Sequence, residues 1–301
     1  MHLNRNKIID IIKVVCATIL LTALFLWWSQ NIGEQSNQNY FENYVDQPDA
    51  DISGAIDTTG THGASTTISL QVVCTSNEII CKKISFIGDF LNEQKAKYIQ
   101  KESNITSFIS TKNALKKDFL PSLTTMQINE NEGKRWYATH NKVVINIGNI
   151  LSDDEFNQIS THELWHIADL GFLEGSSSTK DKNYTEFNKA VFAINDPSVF
   201  FYKLSRDNET IRKASAKKQD FCSVYGMSDP FEDFAECFNL YLNHNKFFKY
   251  LGQKDAVLGK KYNFLASMFN GNYINADTQS ISMIKDKTSE RVRDTTKIAL
   301  K

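Results

Sequence analysis

The amino-acid sequence predicts an α+β fold, a small sheet with a long helix followed by a mostly helical half. Three observations indicate this fold class. The segment Lys142–Gly148 is β-branched and bounded by turn formers, which is typical of a strand. Apolar residues recur at helical spacing from Phe156 to Leu170, and again from Phe231 to Leu242. We assign the domain to residues 66–275.

Bulk composition limits the classes of function. The chain has 301 residues and a formal net charge of −1, with 41% hydrophobic residues. This length is enough for one substantial core. A balanced charge implies no nucleic-acid partner. The sequence contains neither a P-loop nor a dinucleotide-binding glycine pattern.

An apolar segment precedes the domain. Val14–Trp28 is interrupted only by two threonines. As a helix extended back to Ile8 it spans about 31 Å, which is enough to cross a bilayer. The extension includes Asp10 and Lys13, which are three residues apart and can pair or reach the headgroups. We therefore predict a transmembrane helix at residues 8–28.

The distribution of basic residues gives this helix an orientation. Arg5, Lys7 and Lys13 precede or enter it, whereas the next basic residue is Lys82. Because the cytoplasmic flanks of membrane helices are enriched in Lys and Arg, residues 1–7 are expected in the cytoplasm and the domain outside the cell membrane. The alternative is a cleaved signal peptide and a secreted protein.

Two polar segments flank the domain. Residues 29–65 are rich in Asn, Gln, Asp, Gly, Ser and Thr and contain no Lys or Arg. They bury too little apolar surface to fold and are predicted to be a flexible linker. Residues 276–301 are polar and mixed in charge, and are predicted to be a tail outside the domain.

Four cysteines lie in the predicted extracytoplasmic part of the chain. An even number of cysteines in an oxidising compartment is typical of disulfides. We predict pairing between neighbours, Cys74 with Cys81 and Cys222 with Cys237. Four buried free thiols are the alternative.

The helix after the predicted strand has the features of a metal site. Ser152 and Glu155 form a capping-box pattern at its start. His162 and His166 are four residues apart and share one face, where two imidazoles can bind one zinc ion. Glu163 lies beside them, where it can act as general base and acid towards a zinc-activated water.

The strand Lys142–Gly148 lies just before this helix. It is suited to a sheet edge beside the cleft, where an extended peptide can add to it by backbone hydrogen bonds. A core strand without substrate contact is the alternative.

Two histidines leave the third ligand open. His140 and His244 are candidates, but each stands alone in the sequence. A second helix offers carboxylates: Asp229, followed by proline, predicts its start, and Glu232 and Glu236 share one of its faces. Either carboxylate would complete a His, His, Glu zinc site with water in the fourth position. Alternatively, Glu232 caps the helix and Glu236 faces solvent.

The two motifs together resemble a known family. His162-Glu-Leu-Trp-His-Ile-Ala-Asp169, followed by Tyr225-Gly-Met-Ser-Asp-Pro-Phe-Glu-Asp-Phe-Ala-Glu236, is similar to the anthrax lethal factor-like zincins. This clan of zinc metallopeptidases includes the Pro-Pro endopeptidases. The resemblance implies a zincin-like metallopeptidase domain. It also implies that Glu232 is the third zinc ligand and that Tyr225 supports the oxyanion.

The resemblance also assigns supporting roles. Glu236 would orient a ligand histidine through its ring N–H, and Asp169 matches an acid found after the second histidine. This chain departs from the family pattern at Trp165, usually a smaller residue, which we expect to narrow the cleft. The connection between the two motifs is long, so residues 174–220 are expected to include an insertion that borders the site.

Together these observations predict a membrane-anchored zinc endopeptidase that acts on protein or peptide substrates. Zn²⁺ is expected to be held by His162, His166 and Glu232, with Glu163 and Tyr225 as catalytic residues. The alternative is a membrane-tethered binding protein that keeps the scaffold without catalysis.

Overall fold

The structure is a computed structural model that describes residues 69–131, 134–138, 142–185, 189–276 and 291–298. The predicted transmembrane helix and the linker lie outside the described residues. In the described part of the chain, no helix is both long enough and apolar enough to cross a membrane.

These residues form an α+β fold with a small mixed sheet and eight α-helices. The strands are β1 (Ile84–Ile87), β2 (Thr125–Asn129), β3 (Trp136–Ala138) and β4 (Lys142–Asn146). The helices are α1 (Leu70–Ser76), α2 (Glu78–Lys83), α3 (Asn92–Lys112), α4 (Asp153–Gly171), α5 (Pro197–Tyr202), α6 (Pro230–Asn243), α7 (Asn245–Lys254) and α8 (Ala256–Met268). The predicted fold class is therefore confirmed at the level of α+β.

The sheet has the strand order β1-β2-β4-β3. β1 pairs in parallel with β2 and β2 with β4, whereas β3 runs antiparallel to β4, with Trp136 opposite Ile145. The predicted strand is thus β4, an inner strand, and the prediction that it forms the sheet edge is wrong. Its successive residues Val143, Val144 and Ile145 are all buried, as expected for a strand covered on both faces. The edge strand is β3.

Helix α4 begins where the sequence predicts. The Ser152 hydroxyl accepts a hydrogen bond from the Glu155 N–H at 3.1 Å, and three acidic residues occupy the first turn, where the helix dipole favours them. The helix contacts β3, β4 and α6. It therefore connects the sheet to the helical half.

Trp165 lies on the face of α4 that is turned towards α6. It is fully buried, and its ring stacks on Phe238 with centroids 3.9 Å apart and meets Phe234 edge-on at 5.0 Å. The expectation that Trp165 narrows the cleft is wrong. Successive side chains on a helix point in directions about 100° apart, so Trp165 lies on a different face of α4 from its neighbour His166.

The long connection between α4 and α6 is part of the core. Tyr184 and Tyr202 from this connection are buried, with ring centroids 5.1 Å apart. The Tyr202 hydroxyl donates a hydrogen bond to the carboxylate of Asp169 on α4. Asp169 therefore joins α4 to the connection.

Residues 291–298, here called the strap, pack into the domain. Thr295 and Thr296 are fully buried, and the Arg291 side chain donates a hydrogen bond to the Phe221 carbonyl at 3.0 Å. The sequence placed these residues in a tail outside the domain. That prediction is wrong for residues 291–298, because their polar groups form hydrogen bonds in the interior of the domain.

Two disulfides join neighbouring elements. Cys74–Cys81 links α1 to α2, and Cys222–Cys237 links the segment before Tyr225 to α6. The predicted neighbour pairing is confirmed.

Candidate metal centre

Three donor side chains meet where α4 faces α6. The His162 Nε2 atom lies 3.0 Å from Glu232 Oε2 and 3.2 Å from His166 Nε2. The His166 Nε2 atom lies 3.6 Å from the same Glu232 oxygen. The two histidines come from one face of α4, as their spacing predicts. Glu232 is positioned by the start of α6, where the Asp229 side chain accepts a hydrogen bond from the Glu232 N–H at 2.8 Å.

The charges of the cluster reinforce one another. Burial by itself raises the pKa of Glu232, but His166 and His162 outweigh burial and hold that pKa well below its usual range. Burial lowers the pKa of His162, but Glu232 and Glu236 outweigh it and raise that pKa well above its ordinary value. The cluster therefore combines an ionised carboxylate with two imidazoles.

Glu236 lies on the other side of the His162 ring. Its Oε1 atom is 2.9 Å from His162 Nδ1, close but not aligned as a hydrogen bond. Glu236 is fully buried one turn after Glu232 on α6. The two carboxylates left open by the sequence are thus distinguished by position: Glu232 faces the Nε2 atoms and Glu236 faces Nδ1.

Glu163 is buried beside the cluster and lines the same cleft. Burial raises its pKa to about 7. A carboxyl group with a pKa near the working pH can both accept and release a proton. This is the chemistry expected of a general base and acid.

Tyr225 reaches the cluster from a short turn, Tyr225–Met227. Its hydroxyl donates a hydrogen bond to Glu232 Oε1 at 2.9 Å. Burial and the negative charge of Glu232 raise the pKa of Tyr225, so the phenol keeps its proton. The turn packs tightly against α6, because a Cβ atom on Gly226 would lie 3.0 Å from the Asp233 Cα.

A cleft of about 440 Å³ opens onto the cluster. Strand β3 borders it with Trp136, Tyr137 and Ala138. The long connection contributes Thr185 and Glu209, so this segment borders the site as expected. The remaining lining residues are Lys134, Glu163, His166, Leu170, Tyr225, Asp229, Phe231 and Glu232.

The histidine candidate His244 is not in the cluster. His244 is buried at the end of α6, with its Nε2 atom 2.7 Å from Gln158 Oε1. His140 lies outside the described residues. Within the part of the chain that the structure describes, His162, His166 and Glu232 form a group whose donor atoms all lie within 4.8 Å of one another.

This donor set fits a zinc ion. Two imidazole nitrogens and one carboxylate oxygen are the ligands of many catalytic zinc sites, which leave a fourth position for water or substrate. His166 and Glu232 both line the cleft, so a fourth position would face it. The buried Glu236 beside His162 Nδ1 supplies the carboxylate that commonly supports a ligand histidine.

Comparison of the chain with protein-family profiles, with curated proteins and with solved structures gave no match.

Sequence reasoning missed two parts of the site. The edge strand β3 has three residues, too few for a periodic pattern to be recognised. The strap reaches the site through backbone groups, with the Tyr225 N–H donating to the Arg293 carbonyl at 2.8 Å. Such contacts leave no signal in residue type.

Proposed function

We propose that this protein is a zinc endopeptidase of the lethal factor-like zincin clan, with a zincin-like domain. The observation that carries the proposal is the meeting of His162, His166 and Glu232 at the cleft, beside Glu163. His162, His166 and Glu232 would hold the ion. When bound, zinc supplies Lewis-acid activation of water and of the scissile carbonyl group.

The protein residues have separate tasks in the proposed reaction. Glu163 takes a proton from the attacking water and passes it to the leaving amine, for which a pKa of about 7 is suitable. Tyr225 keeps its proton and can donate a hydrogen bond to the carbonyl oxygen as negative charge develops on it. Glu236, whose carboxylate lies 2.9 Å from His162 Nδ1, would support the His162 ring as its charged neighbour.

The position of strand β3 favours an extended peptide as the substrate. Strand β3 is at the edge of the sheet and borders the cleft. In the described part of the chain β3 pairs only with β4, so its other edge can pair with a substrate backbone. This arrangement favours a protein or peptide substrate cut at an internal bond.

Zinc content and hydrolysis test the proposal together. We expect one zinc per chain in the wild type, loss of zinc in Glu232→Ala and largely retained zinc in Glu236→Ala. Glu163→Gln removes the proton acceptor but no ligand, so it should keep zinc and lose hydrolysis of an internally quenched peptide library. The measurements are metal analysis of purified chains and fluorescence release.

Three outcomes would contradict the proposal or its mechanism. A folded wild type without zinc would exclude the metal site. Zinc without hydrolysis of any peptide in the library would favour the membrane-tethered binding protein instead. Full activity in Glu163→Gln would exclude the proposed mechanism.

A further inference from the structure

The strap contacts the residue that supports His162. The Thr295 N–H donates a hydrogen bond to Glu236 Oε2 at 2.8 Å. The other oxygen of this carboxylate is the one that lies 2.9 Å from His162 Nδ1. Thr295, Glu236 and His162 are all fully buried. Because water does not reach such an interior, a buried carboxylate oxygen depends on protein donors for its hydrogen bonds.

The strap also contacts the turn that carries Tyr225. The Tyr225 N–H donates to the Arg293 carbonyl at 2.8 Å, and the Val224 N–H donates to the Val292 carbonyl at 2.9 Å. Both contacts are between backbone groups, so they fix the path of the turn. One segment of eight residues therefore reaches both the Tyr225 turn and the carboxylate behind His162.

Side-chain contacts also anchor the strap to Arg135 and to helix α4. Arg135, which directly precedes β3, donates to Asp294 Oδ2 at 2.7 Å. The same guanidinium contacts Glu155 in the first turn of α4. The Gln158 amide donates to the Ile298 carbonyl at 2.8 Å. The strap is thus tied to the helix that carries both histidines.

We propose that the strap is a positioning element of the metal centre, with Thr295 as a positioning residue. Its N–H holds the Glu236 carboxylate in place, and that carboxylate fixes the orientation of the His162 ring. Without this donor, Glu236 Oε2 loses a buried hydrogen bond, and the carboxylate, which also contacts Ser223, is held less firmly beside His162. The inference rests on the proposed function in that it takes His162 as a zinc ligand.

A proline at position 295 tests this role. Thr295 is the first residue of a 3-10 turn, Thr295–Lys297, and proline is tolerated at a first helical position because only its own N–H is missing. Asp294 has φ −151° and ψ 126°, an extended conformation that a residue before proline favours. Thr295→Pro puts a ring carbon where the N–H points, so it removes the donor and displaces the Glu236 carboxylate, with little change in the backbone path.

Thr295→Ala is the matched control. The Thr295 hydroxyl accepts a hydrogen bond from the Asn239 amide at 3.0 Å, and both substitutions remove it. Only proline also removes the N–H. The difference in zinc affinity between the two variants therefore measures the loss of the Thr295–Glu236 contact.

The measurement is the zinc dissociation constant of the full chain, by competition with a chromogenic chelator. We expect Thr295→Pro to bind zinc about tenfold more weakly than Thr295→Ala, the size typical of lost support for a ligand histidine. In a Glu236→Ala background the proline should have no further effect, because its partner is gone. A merely structural effect of proline would persist in that background.

Each outcome decides the inference. Equal zinc affinity in Thr295→Pro and Thr295→Ala would overturn it, as would a tenfold effect that persists without Glu236. A wild type without zinc affinity would overturn the proposed function and this inference together. Should Thr295→Pro not fold, Asp294→Ala takes its place. Loss of the contacts that Asp294 makes with Arg135 and Thr296 should then loosen the strap and weaken zinc binding, and an unchanged affinity would overturn the proposal.

Discussion

At the scale of single residues, Glu102 is a buried acid outside the metal centre. It lies on α3, is 1% exposed, and accepts a hydrogen bond from the Ser160 hydroxyl on α4. Burial raises the pKa of Glu102 to about 8. The side chain is therefore neutral in the folded protein at pH 5 but ionised in the unfolded chain above pH 4.5.

This difference makes stability depend on pH. The pKa of Glu102 is higher in the folded than in the unfolded state. Its contribution to the free energy of unfolding is therefore fully present below about pH 4.5 and is lost as pH rises towards about 8. Glu102→Gln keeps the neutral form at every pH. We expect the variant to be more stable than the wild type at pH 8, by up to about 5 kcal/mol. At pH 5 the difference should be less than about 1 kcal/mol.

Urea unfolding of both proteins at the two pH values measures the effect. The matched control is Glu93→Gln, an exposed glutamate in the first turn of the same helix. The effect of the substitution on the free energy of unfolding should change more between pH 5 and pH 8 for Glu102→Gln than for this surface control. A change no larger than that of the control would show that ionisation of Glu102 does not oppose folding.

The residues of the candidate site differ in how well the sequence predicts them. His162, Glu163 and His166 follow from spacing on one helix, because positions three and four apart share a face. Spacing cannot choose between Glu232 and Glu236, since both lie on the same face of α6. The choice depends on how α6 packs against α4, where Glu232 reaches Nε2 and Glu236 reaches Nδ1. The resemblance to a family supplied the choice that spacing left open.

At the scale of elements, the disulfide Cys222–Cys237 joins the segment before Tyr225 to α6. Its two cysteines are 15 residues apart and fully buried. A crosslink of that length restricts the unfolded chain by about 3 kcal/mol. We expect the double variant Cys222→Ala/Cys237→Ala to lose at least that much free energy of unfolding, with further loss from the cavity.

The second disulfide provides the control. Cys74 and Cys81 are seven residues apart and only partly buried, so their replacement by alanine should cost less, about 2 kcal/mol. Chemical denaturation of the two double variants measures the difference. A larger loss in Cys74→Ala/Cys81→Ala would contradict the assignment of Cys222–Cys237 as the more stabilising link.

Elements with strong local signals were predicted well. Helices α4 and α6 begin at Asp153 and Pro230, directly after the predicted caps Ser152 and Asp229, because capping depends on a few adjacent residues. The edge strand β3 was not predicted, since three residues form a strand only through pairing with β4. That pairing is a tertiary contact.

At the scale of the whole molecule, residues 8–28 are the apolar segment that precedes the domain. We propose that they anchor the chain in the cell membrane with residues 1–7 in the cytoplasm. The full chain should then sediment with membranes. Protease added outside the cell should release a fragment by cutting within residues 29–65. Immunoblotting of the membrane and soluble fractions measures both.

A charged substitution tests the anchor directly. Leu21→Arg places a charge near the centre of the apolar run, which opposes insertion by about 3 kcal/mol, whereas Leu21→Ile does not. The first variant should reduce the membrane-bound fraction and the second should leave it unchanged. A mature protein that begins after residue 28 would instead identify a cleaved signal peptide.

The position of the strap along the chain sets the order in which the protein is completed during translation. A ribosome adds Tyr225, Glu232 and Glu236 well before it reaches Arg293 and Thr295. A nascent chain can therefore contain all the proposed zinc ligands while Glu236 still lacks its buried donor. Full assembly of the centre has to wait until the strap has been synthesised.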